Sequence, residues 1–269
     1  GVQTCALPIL VNETETKVFQ QNQLTVKIYP TVQQMGKAAA QEVADRICNL
    51  LEGKAEINMI FAAAPSQEEF LHHLISDQRI SWNRINAFHM DEYIGVLPDA
   101  PQSFGNFLRI RIFDKVPFKN VYYLNGHATD LEEECTRYTS LLSQFPTDIV
   151  CLGIGENGHI AFNDPDVANF NDHKLVKIVK LDHVCRQQQV NEKCFETLEQ
   201  VPTEALTLTI PALLKAKWMF CIVPFKNKAQ AVYRTIHGDI SEKCPASILR
   251  RKEKSSLYLD TESAQLLNL

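Results

Sequence analysis

From about residue 24 onward, short apolar runs alternate with longer stretches whose apolar residues recur every three or four positions. That alternation predicts strands and amphipathic helices in turn. Residues 24–29 read as a first strand. Thr31 then opens a helix, with Gln34 three residues later forming a capping box, and Met35, Ala39, Val43, Ile47 and Leu50 fall near one face. Residues 57–61 have the look of a buried strand and lead through Ala62-Ala63-Ala64-Pro65-Ser66 into a helix over 68–76. A strand at 85–90, a helix at 104–113, a strand at 121–124 and a helix at 130–142 follow. The strongest buried-strand signal, 148–152, runs straight into Gly153-Ile154-Gly155. Further strands are expected at 175–180, 205–209, 218–223 and 257–260.

Repeated strand–helix–strand units predict an α/β fold: one domain with an open, mostly parallel sheet and helices on both faces. A chain of 269 residues can bury such a sheet. No internal repeat, low-complexity stretch or linker divides it. Residues 1–14 have no place in the pattern and are expected to form a loose tail, which leaves 15–269 as the folded unit. In open α/β sheets ligands sit beyond the carboxyl ends of the strands. Four segments rich in chemistry fall there: 62–67, 89–95, 153–165 and 224–228.

Composition narrows the function. The chain is 45% hydrophobic and 22% charged, with a net charge of −5 and both signs interspersed. A nucleic-acid partner would need a dense basic stripe, and the run Arg250, Arg251, Lys252, Lys254 is too short to supply one. No apolar segment nears the roughly 18 residues of a membrane span, and residues 1–10 lack the basic start of a signal peptide. The eight cysteines contain no CxxC pair, and Cys151 and Cys221 lie inside apolar runs. Buried, reduced thiols and a cytoplasmic location are therefore expected.

Two segments carry the sharpest signals. In Phe88-His89-Met90-Asp91-Glu92-Tyr93-Ile94-Gly95, adjacent carboxylates leave a strand end. A carboxyl in a partly desolvated cleft gains basicity and can act as a general base, although the same pair could simply cap a turn. In Gly153-Ile154-Gly155-Glu156-Asn157-Gly158-His159-Ile160-Ala161-Phe162-Asn163-Asp164-Pro165, three glycines let backbone N–H groups approach a polar ligand. The GxGxxG spacing is present, but Asn163-Asp164-Pro165 stands where a dinucleotide fold would begin its long helix. His159, among short polar side chains in this loop, is a candidate acid–base group.

Together these segments resemble the two signature regions of the glucosamine-6-phosphate deaminase family. Pro101-Gln102-Ser103-Phe104, Leu124-Asn125-Gly126, Val201-Pro202-Thr203-Glu204-Ala205-Leu206-Thr207 and Lys228-Ala229 match as well, in family order, from about residue 24 to 265. The resemblance implies a Rossmann-like catalytic domain needing neither cofactor nor metal, and a small phosphorylated amino sugar as its partner. A homo-oligomer is compatible with it; a nucleic-acid or membrane partner is not. By the same resemblance Asp91 moves a proton between C2 and C1 of the open-chain sugar, His159 assists ring opening, and Asn157 and Asp164 flank the histidine. Ala63, Ala64, Ser66, Gln67, Glu92, Gly155, Gly158, Lys193 and Lys228 become candidate substrate contacts, with Lys228 on the phosphate.

The chain departs from the family where the phosphate is expected. Members usually carry a Thr-Gly-Gly/Ser-Thr/Ser-Pro run, but here it is Ala62-Ala63-Ala64-Pro65-Ser66-Gln67. Asp164 is one methylene shorter than the usual glutamate. A family arginine has Lys193 as its nearest counterpart and Arg186 as the next. Conversion of glucosamine 6-phosphate and water to fructose 6-phosphate and ammonium is the activity implied. The alternatives are a galactosamine-6-phosphate deaminase, a 6-phosphogluconolactonase, which typically has Asp-Glu-Arg in place of Asp91-Glu92-Tyr93, or a phosphosugar sensor without turnover.

Overall fold

A computed structural model describes residues 16–268; the expected tail at 1–14 lies outside the described residues. In chain order the elements are β1 (Lys17–Gln21), β2 (Leu24–Tyr29), α1 (Val32–Gly53), β3 (Ile57–Phe61), α2 (Glu68–Ile75), β4 (Ile85–His89), β5 (Asp91–Tyr93) and α3 (Phe104–Leu108). They continue with β6 (Asn120–Tyr122), α4 (Leu131–Gln144), β7 (Ile149–Leu152), β8 (Val176–Lys180), α5 (His183–Asn191), β9 (Glu204–Leu208), α6 (Ile210–Leu214), β10 (Trp218–Val223), α7 (Ala229–His237) and β11 (Ser255–Asp260).

The main sheet has eight strands in the order β1-β2-β11-β10-β7-β3-β4-β6. Every pairing in it is parallel except the β1–β2 hairpin at one edge. Strand residues alternate between two apolar layers, as the two-residue side-chain period requires. Ile57, Met59 and Phe61 pack with α1, α2 and Leu108 of α3 on one face. Ile60, Val150 and Leu152 pack with α4, α6 and α7 on the other. Thr31 caps α1 by accepting the Gln34 N–H at 3.2 Å, as its spacing predicts, and Leu51 takes the buried position expected for Leu50. The helix expected over 104–113 changes pitch midway, with Arg109–Phe113 continuing α3 in π geometry.

One feature corrects the picture of a single sheet. β8 and β9, expected among the parallel strands, form a separate three-stranded antiparallel sheet with β5 in the order β5-β9-β8. The reason is local. β4 breaks at Met90, and the chain resumes as Asp91–Tyr93 paired with Thr207–Ala205. The three residues of β5 were too few to show an alternating pattern. The small sheet covers the carboxyl end of the large one, and Tyr93, Phe162, Val179 and Ala205 fill a third apolar cluster beneath it.

Cys151 and Cys221 are buried, and the cysteines of the described residues are free thiols. No helix among the described residues is long and apolar enough to cross a membrane.

Tyr138 of α4 joins two strand ends beneath the site. Its hydroxyl accepts the His89 N–H at 3.0 Å and lies 2.7 Å and 3.0 Å from the His89 and Tyr122 carbonyls, one of which takes its proton. A buried donor stripped of its partner costs about 1–3 kcal/mol. Tyr138→Phe should lower the unfolding free energy by about that amount in urea titration; an unchanged midpoint would show that another group replaces the hydroxyl.

Candidate active site

Four adjacent parallel strands, β10, β7, β3 and β4, end beside one another. Their carboxyl ends release the four chemically loaded segments into one cleft, a cavity of about 540 Å³. β3 contributes Ala62 to Ser66, β4 leads to Met90 and Asp91, β7 gives Gly153, Ile154, Gly155 and His159, and β10 leads to Lys228. Further lining comes from residues within 101–111 and from the segment around α5, which supplies Gln188, Gln189, Glu192, Lys193 and Cys194.

Asp91 is 6% exposed and faces this cavity. Burial pushes its carboxyl well above the usual carboxylate range, and the neighbouring Glu92 adds to the rise. Such a group is a stronger base once ionised. Glu92 is turned the other way and is absent from the cavity lining. Its two oxygens accept from the Tyr93, Phe104 and Gly105 amides and the Ser103 hydroxyl at 2.8–3.1 Å. It therefore seats the start of α3, where negative charge is favoured. The two carboxylates left open by the sequence thus divide: one faces the cleft and the other caps.

His159 lines the cavity with its Nδ1 3.0 Å from Asp164 Oδ1, at an angle short of good hydrogen-bond alignment. The short aspartate reaches because the loop folds tightly: Gly158 N–H bonds to Gly155 O and Gly155 N–H to His159 O, both at 2.9 Å. Asn157 Nδ2 donates to Asp164 at 2.9 Å and to Asp182 at 2.8 Å, while its Oδ1 accepts the His159 amide at 2.9 Å. Asn157 thus holds the histidine's backbone, outside the cavity lining. Asp164 also accepts the Asp182 N–H at 3.1 Å, and Asp182 caps α5 through the Cys185 N–H at 2.6 Å. Burial pushes the Asp164 carboxyl up, but the His159 ring, Asn157 and the Asp182 amide outweigh it and hold it below the ordinary value.

Two loop glycines have steric reasons. A Cβ on Gly155 would lie 2.1–2.4 Å from three atoms of the His159 ring. Gly158 has φ +92°, and a Cβ there would also meet Cys244 Sγ at 2.7 Å. Gly158 shapes the loop without lining the cavity.

Of the other candidates, Ala63, Ala64 and Ser66 line the cleft. Gln67 lies behind them, bridging Ser66 Oγ at 3.0 Å and the Ile222 carbonyl at 3.1 Å. Lys193 lines the cleft, whereas Arg186 is spent on the Leu198 and Val201 carbonyls at 2.6 Å and 2.9 Å. Lys228 is 2% exposed and pairs with Glu192 Oε1 at 2.9 Å. The sequence reading missed Gln188, Gln189 and Glu192 because it missed α5. Asp182 standing before that helix is an N-cap signal that could have found it.

His159 Nδ1, an Asp164 oxygen and Cys185 Sγ lie within 4.8 Å of one another, the one metal-ligand-type group among the described residues. Burial, then the Asp164 and Asp182 carboxylates, hold the Cys185 thiol well above its usual value.

A fold with a cleft at the carboxyl edge of a parallel sheet, a buried carboxyl and a carboxylate-paired histidine defines an acid–base site for a small polar molecule. Residues 30–258 match the model of glucosamine-6-phosphate isomerases/6-phosphogluconolactonase, and the chain belongs to that family. It is 36% identical over 212 residues to the glucosamine-6-phosphate deaminase of Listeria innocua, covering 79% of this chain and 88% of that one. A solved monomeric glucosamine-6-phosphate deaminase superposes with TM-score 0.81 at 32% identity, covering 90% of this chain and 99% of the other. The 6-phosphogluconolactonase of Thermotoga maritima shares the fold, with TM-score 0.72 at 21% identity over 88% of this chain and 99% of that one.

Asp164 supplies a test by pH. Its folded-state value is depressed, so its stabilising contribution is full above the unfolded value of about 3.9 and is lost as pH falls through the folded one. Asp164→Asn should be less stable than the parent at pH 7, and the gap should close as the pH falls below about 4. A gap independent of pH would mean that packing, not charge, makes the difference.

Proposed function

We propose that this chain converts glucosamine 6-phosphate and water to fructose 6-phosphate and ammonium. The observation that carries the reading is Asp91: a buried carboxyl with raised proton affinity, facing a cleft that is also lined by His159 and the buried Lys228 cation. The relatives named as glucosamine-6-phosphate deaminases support it.

The residues divide the work as follows. His159, steadied by Asp164, takes the C1 hydroxyl proton and returns one to the ring oxygen, which opens the pyranose to its aldehyde. Asp91 removes the C2 proton, and the C–H electrons form the C1–C2 double bond as charge moves to the aldehyde oxygen. The ammonium gives a proton to that oxygen, which leaves an enolamine. The same carboxyl then returns its proton at C1 as the nitrogen lone pair forms an iminium at C2. Water adds there, its protons pass to the nitrogen, and the C–N bond breaks to give the ketone and ammonium. The positive nitrogen acidifies C2, and hydrogen-bond donors in the cleft stabilise the enediolate-like species. Lys228 and the backbone of Ala63 to Ser66, at the entry to α2, meet the phosphate.

Ammonia release from glucosamine 6-phosphate is the deciding measurement, and lactone hydrolysis without ammonia release would overturn the reading. Asp91→Asn should cut turnover about 10²–10⁴-fold while leaving KM near the parent's. Ionising a buried carboxyl of raised pKa costs stability as pH climbs from the unfolded value toward the folded one, so this variant should be at least as stable as the parent at neutral pH. The acidic limb of kcat/KM should have its midpoint above about 4, the ordinary aspartate value. A limb at or below that value would assign the base elsewhere.

Gly155→Ala should displace the His159 ring and lower turnover by about a hundredfold, the scale of a small misplacement, with a lower unfolding midpoint as the ring leaves Asp164. Full activity would show that the ring has room to move.

A further inference from the structure

Lys228 and Glu192 form an ion pair in an unusual place. A buried lysine needs an anionic partner, but structural pairs ordinarily close off a core. Here both members line the substrate cavity. Lys228 is 2% exposed, and Glu192 Oε1 accepts from its Nζ and from Gln188 Nε2, both at 2.9 Å. The carboxylate reaches in from the far wall. Glu192 is the C-terminal cap of α5, its N–H bonded to the Gln188 carbonyl at 2.8 Å. The next residue, Lys193, adopts φ +61°, a left-handed turn by which the chain leaves the helix. Gln188 extends the contact outward, its Oε1 accepting the Glu156 N–H of the glycine loop at 2.8 Å. An acid is thus held on a buried cation of a site whose proposed ligand is itself an anion.

We infer that Glu192 is a specificity-determining residue of the phosphate subsite, a resident carboxylate that holds Lys228 until a phosphate monoester displaces it. The inference rests on the proposed contact between Lys228 and the substrate phosphate. Two anions on one ammonium in a poorly solvated cleft repel strongly, so the phosphate and the carboxylate exclude each other. A phosphate monoester, with up to two charges and three acceptor oxygens, outcompetes one carboxylate and also gains the amides at the start of α2. A neutral sugar has nothing with which to compete. Glu192 thereby weakens binding of every ligand but weakens uncharged ones most, and ligand entry becomes coupled to release of the α5 end from the cleft.

The test uses the full chain, with inorganic phosphate and glucosamine 6-phosphate as probes, and compares Glu192→Gln with Lys228→Ala. Glu192→Gln should lower the phosphate Kd and the sugar KM by about tenfold, the scale of one charge-assisted hydrogen bond. Without phosphate the same variant should melt below the parent, because the buried lysine loses its anion, and added phosphate should raise its melting temperature more than the parent's. A structural pair would give the first loss without the second gain. Should Glu192→Gln fold poorly, Glu192→Asp, a methylene short of Lys228, should move KM in the same direction. Unchanged or weaker phosphate binding in the glutamate variants, with binding lost in Lys228→Ala, would overturn the inference alone. Phosphate binding untouched in Lys228→Ala would overturn the phosphate contact beneath it.

Discussion

The bond from the Phe162 N–H to the Thr207 hydroxyl, 3.0 Å long, joins the two halves of the site. Thr207 is fully buried, and its backbone lies opposite Asp91 on one side and Lys177 on the other. The strand that carries Asp91 and the loop that carries His159 are thus both registered against one residue. The neighbouring Leu208 repeats the pattern, its N–H bonded to the Met90 carbonyl and its own carbonyl accepting from Asn163 Nδ2, both at 2.9 Å. Buried backbone groups must find such partners, so β9 fits between the two loops in only one register. A one-residue slip would send every side chain to the opposite face. The small sheet is a jig that sets Asp91 relative to His159, and the large sheet is the floor on which it stands.

Asp164 extends the same logic from position to charge. Burying a carboxylate is costly unless its oxygens are satisfied, and here Asn157, the Asp182 amide and the His159 ring supply the contacts. Those groups come from the glycine loop and the start of α5, so one acid fixes the histidine and anchors the helix that forms one wall of the cleft. The shorter side chain suffices because the loop's own turn, closed by Gly155 and Gly158, draws the ring toward it. The departure from the family's glutamate is therefore absorbed by backbone geometry.

The large sheet could be read from sequence because its strands are buried on both faces and stand out as uninterrupted apolar runs. Residues 57–61 and 218–223 match their strands end for end. The convergence of the four loops followed from strand polarity alone. The small sheet could not be read, because three residues at Asp91–Tyr93 have no period and their partner lies over a hundred residues away. The roles of paired acids were hidden for a related reason. Asp91 and Glu92 are adjacent and chemically alike, and only the position of the α3 amides decides which of them caps. α5 was obscured by its polar surface, since Arg186, Gln187 and Asn191 interrupt the apolar spacing of a helix whose buried residues include two glutamines.

Those glutamines bear on what the cleft can select. A wall built from Gln188, Gln189 and Glu192 presents polar, adaptable contacts where an apolar wall would simply exclude water. It stands opposite an alanine-rich loop with few hydroxyls and no glycine. The Ala62 to Gln67 side offers few side-chain donors, and the facing wall carries side-chain amides and a lysine–glutamate pair. Phe225, three residues before Lys228, adopts φ +82°, the backbone cost of delivering that lysine. A non-glycine residue in this region carries strain of about 1–3 kcal/mol. It persists because the surroundings fix it: the Phe225 N–H is held by the Asp260 carboxylate at 3.3 Å, and Asp260 in turn accepts the Ser263 N–H at 2.8 Å. The end of β11 thereby sets the angle at which the chain turns into Lys228, so the buried cation of the cleft is positioned by a strand that is absent from the cleft's lining.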